Sequence, residues 1–496
     1  MLANARLWLV VAWVYCPLSS LCLLAFGETE TAVSNRPNII LIVTDDQGYA
    51  PVSGLGHPWI KTPAMDRLLQ QSTRISTFLV SPTCSPTRSV MTGRHPMRNG
   101  ITHTIVERER MTLDAVTLPQ VLKDVGYQTA MVGKWHLGDE DLYQPNQRGF
   151  DYTFIHGAGG IGQAYDCSCA DAPGNRYFDP VVRENGTFVK TKGFCTDIFF
   201  EGAIRWLDST STKRDPFFLY IATNAPHAPF HAPDSFKKRF VDVGFADGAA
   251  GFFGMIENID WNLNRLLNYL DESQLSDNTI VIFMSDNGMS GTGTQVGESF
   301  ATGFENWNSG MRGLKGSVDE GGVRVPFFVR WPNVFPQNTE RDCVAAHVDI
   351  LPTLAELAGA ELPTDQCEGI SLVETLKNGK DVDDRLLITH VGRWPIGADP
   401  DDYQWCRFAI RSRQFRLVSR DNNPAVRNNA NLELFDMVSD PGQTQNIIDL
   451  HPEMVTKMTN YYEEWWTKTR QMLVNETAPQ SGSRSYWDAF EKQNWK

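Results

Sequence analysis

Hydrophobic and polar positions follow two different periods along this chain. Four short runs are almost wholly apolar and rich in β-branched residues, which is typical of strands buried on both faces. They lie at 38–43, 128–132, 216–223 and 279–285. Segments between them repeat apolar residues at spacings of three and four, which predicts amphipathic helices. These helices are predicted at 62–71, 118–126, 195–209 and 252–273. The alternation predicts an α/β fold with a doubly wound, mostly parallel sheet flanked by helices.

The pattern changes in the last quarter of the chain. From about residue 381, short stretches alternate between apolar and polar positions, which is typical of an antiparallel sheet. An amphipathic helix at 452–473 follows them. We therefore predict a main domain at 36–380, a smaller C-terminal α+β domain at 381–475 and a tail at 476–496.

The first residues have the pattern of a targeting segment. Arg6 is followed by an apolar run of about twenty residues that ends in small ones, which predicts a signal peptide at 1–27. A signal anchor is the alternative, because the run is long enough to span a bilayer. We expect a secreted, lysosomal or periplasmic protein with no stable membrane insertion after signal removal. Asn185 and Asn475 open glycosylation sequons, which predict a glycoprotein in a glycosylating host.

Cysteine usage supports an oxidising compartment. Seven of the nine cysteines remain after the predicted signal, so six could form three disulfides. We expect Cys84 to be the odd one. Cys167 and Cys169 are too close in sequence to bridge each other comfortably, so partners such as Cys195 or Cys406 are favoured. The net charge of −14 and the lack of a basic tract argue against nucleic acid as a partner.

Polar side chains follow each of the four buried strands. Ligands of doubly wound sheets bind beyond the carboxyl ends of the strands, so these side chains could converge on one site. The carboxylates and the amide offer only oxygen ligands, which suit Ca²⁺ or Mg²⁺ better than zinc or copper. The lysine and histidines add cationic and proton-transferring groups. In strand order they are Asp45 and Asp46, then Lys134 and His136, then His227, then Asp286 and Asn287.

A proline-flanked turn, "SPTCSPTRS" at 81–89, holds Cys84. Pro86 suits the first position of a helix, so Cys84 is predicted just before a helix N-terminus, where free N–H groups favour an anion. Arg88 could add a bidentate fork for a tetrahedral oxyanion. The turn therefore suits sulfate or phosphate.

Cys84-Ser85-Pro86-Thr87-Arg88, followed by "SVMTGRHP", resembles the signature of the type I, formylglycine-dependent sulfatases of the alkaline phosphatase superfamily. The resemblance extends through "PNIILIVTDDQG", "GYQTAMVGKWHLG", "APHAPFHAP", "SDNG", "GLKGSVDEGGVRVPFFVRWP" and "ELFDMVSDPGQTQNI" and covers roughly residues 37 to 450. It implies that 36–380 is a catalytic sulfatase domain. It also implies that a formylglycine-generating enzyme converts Cys84 to 3-oxoalanine (formylglycine), beside one bound Ca²⁺ rather than Mg²⁺.

The same resemblance implies a role for each matching residue. Arg88 and Lys134 would hold the sulfate oxygens. His227, with Lys315, would protonate the leaving alcohol, and His136 would take a proton from the hydrated aldehyde to release sulfate. The implied metal ligands are Asp45, Asp46, Cys84, Asp286 and Asn287. The implied catalytic residues are Cys84, Arg88, Lys134, His136, His227 and Lys315.

Substrate selection is expected in loops outside the shared blocks, where tryptophans could stack on sugar rings. We predict an arylsulfatase-type sulfuric ester hydrolase that acts on a sulfated carbohydrate or another sulfate ester. One alternative is a phosphonate monoester or phosphodiester hydrolase with the same nucleophile. The other is a non-catalytic glycan-binding relative with an unmodified thiol. Candidate substrate contacts are His103, Trp307, His390, Arg393 and Trp394, for each of which simple packing is the competing explanation.

Overall fold

The computed structural model describes residues 36–210, 215–290, 307–425, 431–479, 482 and 484–493. The predicted signal peptide lies outside these residues. Within them, no helix combines the length and the apolar character that crossing a membrane requires. All described residues fall within one contact-defined unit, Asn35–Lys496, and the division at 380/381 stays a prediction.

The described strands form two sheets. One has eleven strands and the other has four. The strands are β1 Asn38–Thr44, β2 Thr73–Leu79, β3 Gln128–Lys134, β4 Tyr152–His156, β5 Val181–Glu184, β6 Thr187–Lys190, β7 Phe217–Ala222, β8 Thr279–Ser285, β9 Arg324–Val325, β10 Phe327–Arg330, β11 Thr339–Ala346, β12 Leu387–His390, β13 Phe408–Arg411, β14 Phe415–Ser419 and β15 Leu432–Asp436.

The described helices flank these sheets. They are α1 Pro63–Gln70, α2 Cys84–Arg88, α3 Leu118–Asp124, α4 Cys195–Thr210, α5 Asp234–Asp242, α6 Asp247–Glu272, α7 Glu320–Val323, α8 Ile350–Ala358, α9 Val373–Asn378, α10 Pro452–Arg470 and α11 Ser485–Lys492. Helix α6 begins five residues before its predicted start, because glycine and alanine residues hide the apolar period there. Gly251 is required in that turn, since a Cβ atom would lie 2.0 Å from the Phe230 carbonyl oxygen.

The large sheet has a parallel centre. Its order is β11-β2-β10-β8-β1-β7-β3-β4-β5-β6, with β9 paired to β2. The pairs β8–β1, β1–β7, β7–β3 and β3–β4 are parallel, and β10, β5 and β6 run antiparallel to their neighbours. The four predicted strands are therefore β8, β1, β7 and β3, adjacent at the middle of the sheet. Their carboxyl ends share one edge.

Both faces of this sheet are covered. Ile40 and Ile42 of β1 pack into one hydrophobic cluster with residues of α1, α4 and α6. Ile39, Leu41 and Val43 pack into a second cluster, with residues of α3 and α8. Successive side chains of a strand point to opposite faces, so a continuous apolar run is what a doubly covered strand requires. The predicted α/β doubly wound fold is confirmed.

The smaller C-terminal sheet is antiparallel, in the order β12-β13-β14-β15. Helix α10 packs on it through Tyr462, whose ring stacks on Phe408 at a centroid distance of 4.1 Å. Trp465 and Trp466 belong to the same cluster. The predicted antiparallel sheet with a final amphipathic helix is therefore present.

The expected disulfides do not form. All seven cysteines of the described chain are unpaired thiols. Two of the cysteines make hydrogen bonds to other groups instead. Cys195 Sγ donates to Asn224 Oδ1 at 3.1 Å, and Cys169 Sγ accepts from the Gly159 amide at 3.3 Å. Cys343 belongs to the hydrophobic cluster that covers the other face of the sheet from Cys195. Counting cysteines could not reveal this, because pairing depends on three-dimensional proximity.

Candidate active site

Two adjacent parallel strands deliver four oxygen-bearing side chains to one point. The β1–β8 register pairs Thr44 with Ser285, so the residues that follow each strand lie side by side. The Asp286 amide donates to the Thr44 carbonyl at 2.9 Å, which continues the pairing past the strand ends. Asp46 takes a left-handed backbone conformation with φ 67°, and its amide donates to Asp286 Oδ1 at 2.9 Å. These carboxylates are held in place by the backbone itself.

The other two central strands supply the basic groups. Lys134 is the last residue of β3, and His136 follows with φ 59°. The turn after β7 carries His227 beyond the cis Ala225-Pro226 peptide. The Tyr177 hydroxyl donates to the carbonyl oxygens of Asn224 and His227, which holds this turn against the sheet.

Cys84 lies at the centre of the converging groups. Its thiol is buried, and Sγ lies 3.6 Å from His136 Nδ1. Sγ and one carboxylate oxygen each of Asp45 and Asp286 lie within 4.8 Å of one another. Helix α2 begins at Cys84 itself, so the prediction that Cys84 precedes the helix is wrong. Thr83 is the N-cap residue, and the helical conformation therefore starts two residues before Pro86.

Cationic side chains pair with the carboxylates. Lys134 Nζ donates to Asp45 Oδ2 at 2.6 Å, and Lys315 Nζ donates to Asp46 Oδ2 at 2.6 Å. Arg88 donates to Asp286 Oδ2 at 3.3 Å and lies 3.7 Å from Asp45 Oδ2. His227 Nε2 lies 3.8 Å from Asp46 Oδ2. All the residues predicted as metal ligands or catalytic groups therefore meet in one cluster, which is buried except for the partly exposed His227 and Lys315. They are Asp45, Asp46, Cys84, Arg88, Lys134, His136, His227, Asp286, Asn287 and Lys315.

The ionisation of this cluster is strongly perturbed. Burial raises the pKa of Asp286 well above its usual value, and the neighbouring Asp45 carboxylate raises it further. Burial acts in the same direction on Asp45, but Lys134, His227 and Arg88 outweigh it and hold the Asp45 pKa well below its usual range. Burial would also raise the pKa of the Cys84 thiol, yet Lys134 and Lys315 lower it overall. The site therefore favours negative charge at position 84.

His136 is held neutral in one tautomer. Burial, reinforced by the Lys134 charge, lowers the pKa of His136 well below its usual value. Its Nε2 lies 2.8 Å from the Thr104 carbonyl oxygen, which can only accept, so Nε2 carries the hydrogen. Nδ1 is therefore an unprotonated acceptor, and this is the atom that faces Cys84.

The donor set fits a hard divalent cation. Asp45 Oδ1 and Asn287 Oδ1 are buried without a hydrogen-bond partner among the described residues, although the other polar atom of each side chain is paired. Buried polar atoms rarely stay unsatisfied, and unpaired oxygens beside the Asp286 carboxylate are what an oxygen-ligated ion requires. Calcium and magnesium fit this set by donor chemistry.

The structure adds site residues that sequence patterns did not reveal. A Cβ atom on Gly159 would lie 2.7 Å from His136 Cε1, and one on Gly160 would lie 3.0 Å from both His227 Cε1 and Gln163 Nε2. The loop after β4 therefore approaches both histidines closely, and the Gln163 amide faces the same small space as His227. The glycine-rich composition of 157–162 was the available signal for this close approach.

The predicted substrate contacts lie in three different places. His103 and Arg393 flank Thr104, whose carbonyl bonds His136, so they lie beside the cluster. Trp307 packs edge-on against His57 at 5.1 Å. His390 and Trp394 are buried in the C-terminal core, where His390 stacks on Trp466 and Trp394 Nε1 donates to Glu476 Oε2. Burial favours packing for these two side chains.

Comparison with known proteins identifies the family. The model of the sulfatase family matches residues 37–360. A second model, the C-terminal part of N-sulphoglucosamine sulphohydrolase, matches residues 315–470. Together the two models cover both sheets.

Individual relatives agree with the family models. Mouse arylsulfatase J is 32% identical over 361 residues, which span 71% of this chain and 58% of that protein. N-acetylgalactosamine-6-O-sulfatase of Bacteroides thetaiotaomicron is 28% identical over 503 residues, which span 88% of this chain and 94% of the relative. The crystal structure of Ps i-CgsB in complex with k-i-k-neocarrahexaose superposes with a TM-score of 0.75 at 26% identity, and the match covers 90% of this chain and 95% of that one.

Proposed function

This chain belongs to the sulfatase family, and from that membership we propose that it hydrolyses a sulfate ester on a carbohydrate, with a formylglycine derived from Cys84 as nucleophile and one calcium ion at the carboxylate cluster. One observation carries the proposal. The Cys84 side chain lies in a buried cluster with Asp45 and Asp286, inside a ring of lysine and arginine groups that suits a tetrahedral anion. The carbohydrate class is supported by the N-acetylgalactosamine sulfatase relative and by the oligosaccharide bound to the structural neighbour.

The calcium ion and the formylglycine have separate tasks in this proposal. Asp45, Asp46, Asp286 and Asn287 would hold the calcium ion, which would supply positive charge that stabilises developing negative charge on oxygen. The hydrated aldehyde at position 84 would supply a hydroxyl nucleophile. The remaining tasks, which are binding, orientation and proton transfer, fall to side chains that the chain already positions.

Arg88 and Lys134 hold the sulfate and the residue at position 84. Both are fully buried, and both contact carboxylates that also face Cys84. Burial limits their motion and keeps water from screening them, so their charges act strongly on an anion placed among them. We assign these two residues to orientation and charge stabilisation.

His136 accepts a proton from the group at position 84. Its Nδ1 faces that group at 3.6 Å from Sγ, and the Nε2 hydrogen is committed to Thr104. A neutral imidazole with a free Nδ1 lone pair is the correct form for a general base. We therefore assign the proton transfer that releases sulfate to His136.

His227 and Lys315 serve the leaving group. His227 Nδ1 lies 2.7 Å from the Ala228 carbonyl oxygen and so carries a hydrogen, which leaves Nε2 facing Asp46 and the cluster. When protonated, His227 can therefore donate from Nε2 to a departing alcohol. Lys315, on the same Asp46 oxygen, adds positive charge on that side. A positioned general acid typically contributes about 10²- to 10⁴-fold to the rate.

Turnover and peptide mass together test this proposal. The purified protein, produced with a formylglycine-generating enzyme, is assayed with an aryl sulfate, an aryl phosphodiester and an aryl phosphonate. We expect preference for the sulfate and a Cys84 peptide that carries an aldehyde in place of the thiol. Preference for a phosphorus ester by orders of magnitude would identify a phosphonate monoester or phosphodiester hydrolase. An unmodified thiol with glycan binding but no turnover would identify a binding protein.

A further inference from the structure

Two arginines sit together at one end of the C-terminal sheet. In the β12–β13 pair, His390 lies opposite Phe408. The next pair of residues is also hydrogen-bonded, because the Val391 amide donates to the Arg407 carbonyl at 3.0 Å. Arg393 follows two residues later. Both arginines have left-handed backbones, with φ 43° for Arg393 and 47° for Arg407. The chain therefore holds this corner in a costly conformation.

Arg393 contacts the segment around Thr102 and Thr104, which lies beside His136. The Arg393 amide donates to the Thr102 carbonyl at 2.7 Å, and its guanidinium donates to Thr104 Oγ1 at 3.0 Å. The Thr104 carbonyl is the group that bonds His136. A Cβ atom on Gly392 would lie 2.1 Å from the Thr102 carbonyl oxygen, so only glycine permits this close approach.

Arg407 contacts the segment that carries Lys315, which in turn contacts the segment that carries Cys84. Arg407 Nη2 donates to the carbonyl oxygen of Gly316, the residue after Lys315, at 2.7 Å. The Gly316 amide in turn donates to the Pro82 carbonyl at 2.7 Å, two residues before Cys84. The two guanidinium groups are therefore anchored through Thr104 and Gly316 to the segments that carry His136, Lys315 and Cys84.

Neither arginine has an acidic partner within ion-pair distance in the described part of the chain. Their sheet neighbours do: Arg416 pairs with Glu320, and Arg420 pairs with Asp319. Burial lowers the pKa of Arg407, and the Arg393 charge lowers it further, so the two like charges act on each other. Arg393 Nε is also buried without a hydrogen-bond acceptor among the described residues.

This arrangement is unusual for a chain with a net charge of −14. Acidic residues are abundant, yet these two arginines beside the site have no acidic partner among the described residues. Unopposed like charges destabilise the folded protein unless a ligand compensates for them. A negatively charged substrate also needs local positive charge to approach against the overall field.

We propose that Arg393 and Arg407 form a second anion subsite, which binds a negative group of the substrate other than the sulfate that is cleaved. The inference rests on the proposed function, because it assumes that the cleaved ester lies at Cys84. The second group is a sulfate or a carboxylate, both of which match a guanidinium fork. The preferred substrate is therefore a sugar that carries at least two negative charges.

The test compares singly and doubly charged ligands. Turnover of an aryl sulfate, which carries one charge, is inhibited competitively with a monosulfated, a disulfated and a sulfated, uronate-containing disaccharide. We expect the wild-type protein to bind one of the doubly charged sugars about tenfold or more tightly than the monosulfated one. Which of them binds tighter distinguishes a sulfate from a carboxylate as the second group. That preference should also weaken as ionic strength rises.

The variants Arg393→Gln, Arg407→Gln and the double variant locate the effect. Each should remove most of the preference for two charges, measured as the ratio of the inhibition constants of the singly and doubly charged sugars, so that any change in aryl sulfate turnover cancels. Arg413→Gln is the matched control, because it removes the same charge from an exposed position in the same sheet, paired with Asp342. It should keep the preference.

Other outcomes overturn the inference. Equal binding of singly and doubly charged sugars by the wild-type protein, or a preference that survives in the double variant, excludes the subsite. Equal loss of all activities in the double variant would show a structural role instead. Failure of the proposed function itself is separate, because the wild-type protein would then not turn over the aryl sulfate.

Discussion

Lys134 Nζ donates to Asp45 Oδ2 at 2.6 Å, and neither side chain has any contact with solvent. Elsewhere in the same protein, Lys123 Nζ donates to Asp151 Oδ1 at the same 2.6 Å, but 43% of the lysine and 46% of the aspartate side chain are exposed. The two pairs have the same length and opposite environments. Their energetic roles should therefore differ.

Breaking these pairs gives a direct comparison. Lys134→Met leaves Asp45 buried without its closest cation, and removal of one partner of a buried pair typically costs about 3 to 5 kcal/mol. Lys123→Met should cost less than about 1 kcal/mol, because water screens an exposed pair. Urea unfolding in the presence of a chelator measures the loss in unfolding free energy for both variants. Similar losses in the two variants would mean that the buried pair contributes no more than an exposed one.

Cys84→Ala should abolish turnover and preserve the fold. The turn is held by other groups: the Ser81 amide donates to Thr87 Oγ1, and Ser85 Oγ donates to the His136 carbonyl. The loss in unfolding free energy should be about 1 kcal/mol, the value for a small buried group. Cys195→Ala is the control, since it deletes a core thiol and should retain turnover. A large drop in melting temperature for Cys84→Ala would indicate a structural thiol.

Chelation should lower both activity and melting temperature. Metal binding to the folded state alone adds about 2.7 kcal/mol of stability at a hundredfold excess over Kd. Calcium should restore both properties more fully than magnesium. Asp286→Asn should lose the response to chelator, whereas Asp260→Asn, at a buried carboxylate that bonds the Ala64 and Met65 amides, should keep it. Full activity after exhaustive metal removal would refute the calcium assignment.

His390 should make the protein sensitive to acid. Burial lowers the pKa of His390 to about 4 in the folded protein, whereas in the unfolded chain it is about 6.5. Between these two pH values the unfolded chain binds a proton at His390 and the folded chain does not. Its contribution to stability is complete above about pH 6.5 and is lost as the pH falls towards 4. His390→Phe should reduce the loss in unfolding free energy between pH 7 and pH 5 by about 2 kcal/mol.

A matched histidine controls this measurement. The control variant is His231→Phe, which makes the same substitution at an exposed position. Turnover in His390→Phe separates packing from substrate contact: a packing residue leaves KM within about twofold. An unaltered pH dependence in that variant would show that the native His390 titrates like an exposed one.

The two sequons should differ in use. Asn185 is exposed between β5 and β6, whereas Asn475 is buried and its Nδ2 donates to the Gly100 and Arg110 carbonyls at 2.9 and 2.8 Å. Folded protein secreted from a glycosylating host should carry a glycan at Asn185 only. Asn185→Gln should remove the mass increment, and Asn475→Gln should leave it while lowering stability. A glycan on Asn475 in native protein would contradict this.

The sequence alone predicted the central strands and the groups that follow them. Apolar runs such as 38–43 identify strands buried on both faces, and parallel strands bring their carboxyl ends to one edge by geometry alone. The sequence therefore predicted that four side chains lie close together: Asp45, Lys134, His227 and Asp286. The disulfide prediction was wrong because cysteine counts contain no distances.

The pairing of cations with carboxylates and the candidate substrate subsite could be recognised only in the tertiary structure. Which cation meets which carboxylate, as in Lys315 with Asp46, depends on residues 269 positions apart. Arg393 and Arg407 become a candidate subsite only because the C-terminal sheet carries them to Thr104 and Gly316. Local sequence determines where strands begin and end, since backbone and side-chain period act over a few residues. Long-range packing alone decides which side chains share a site.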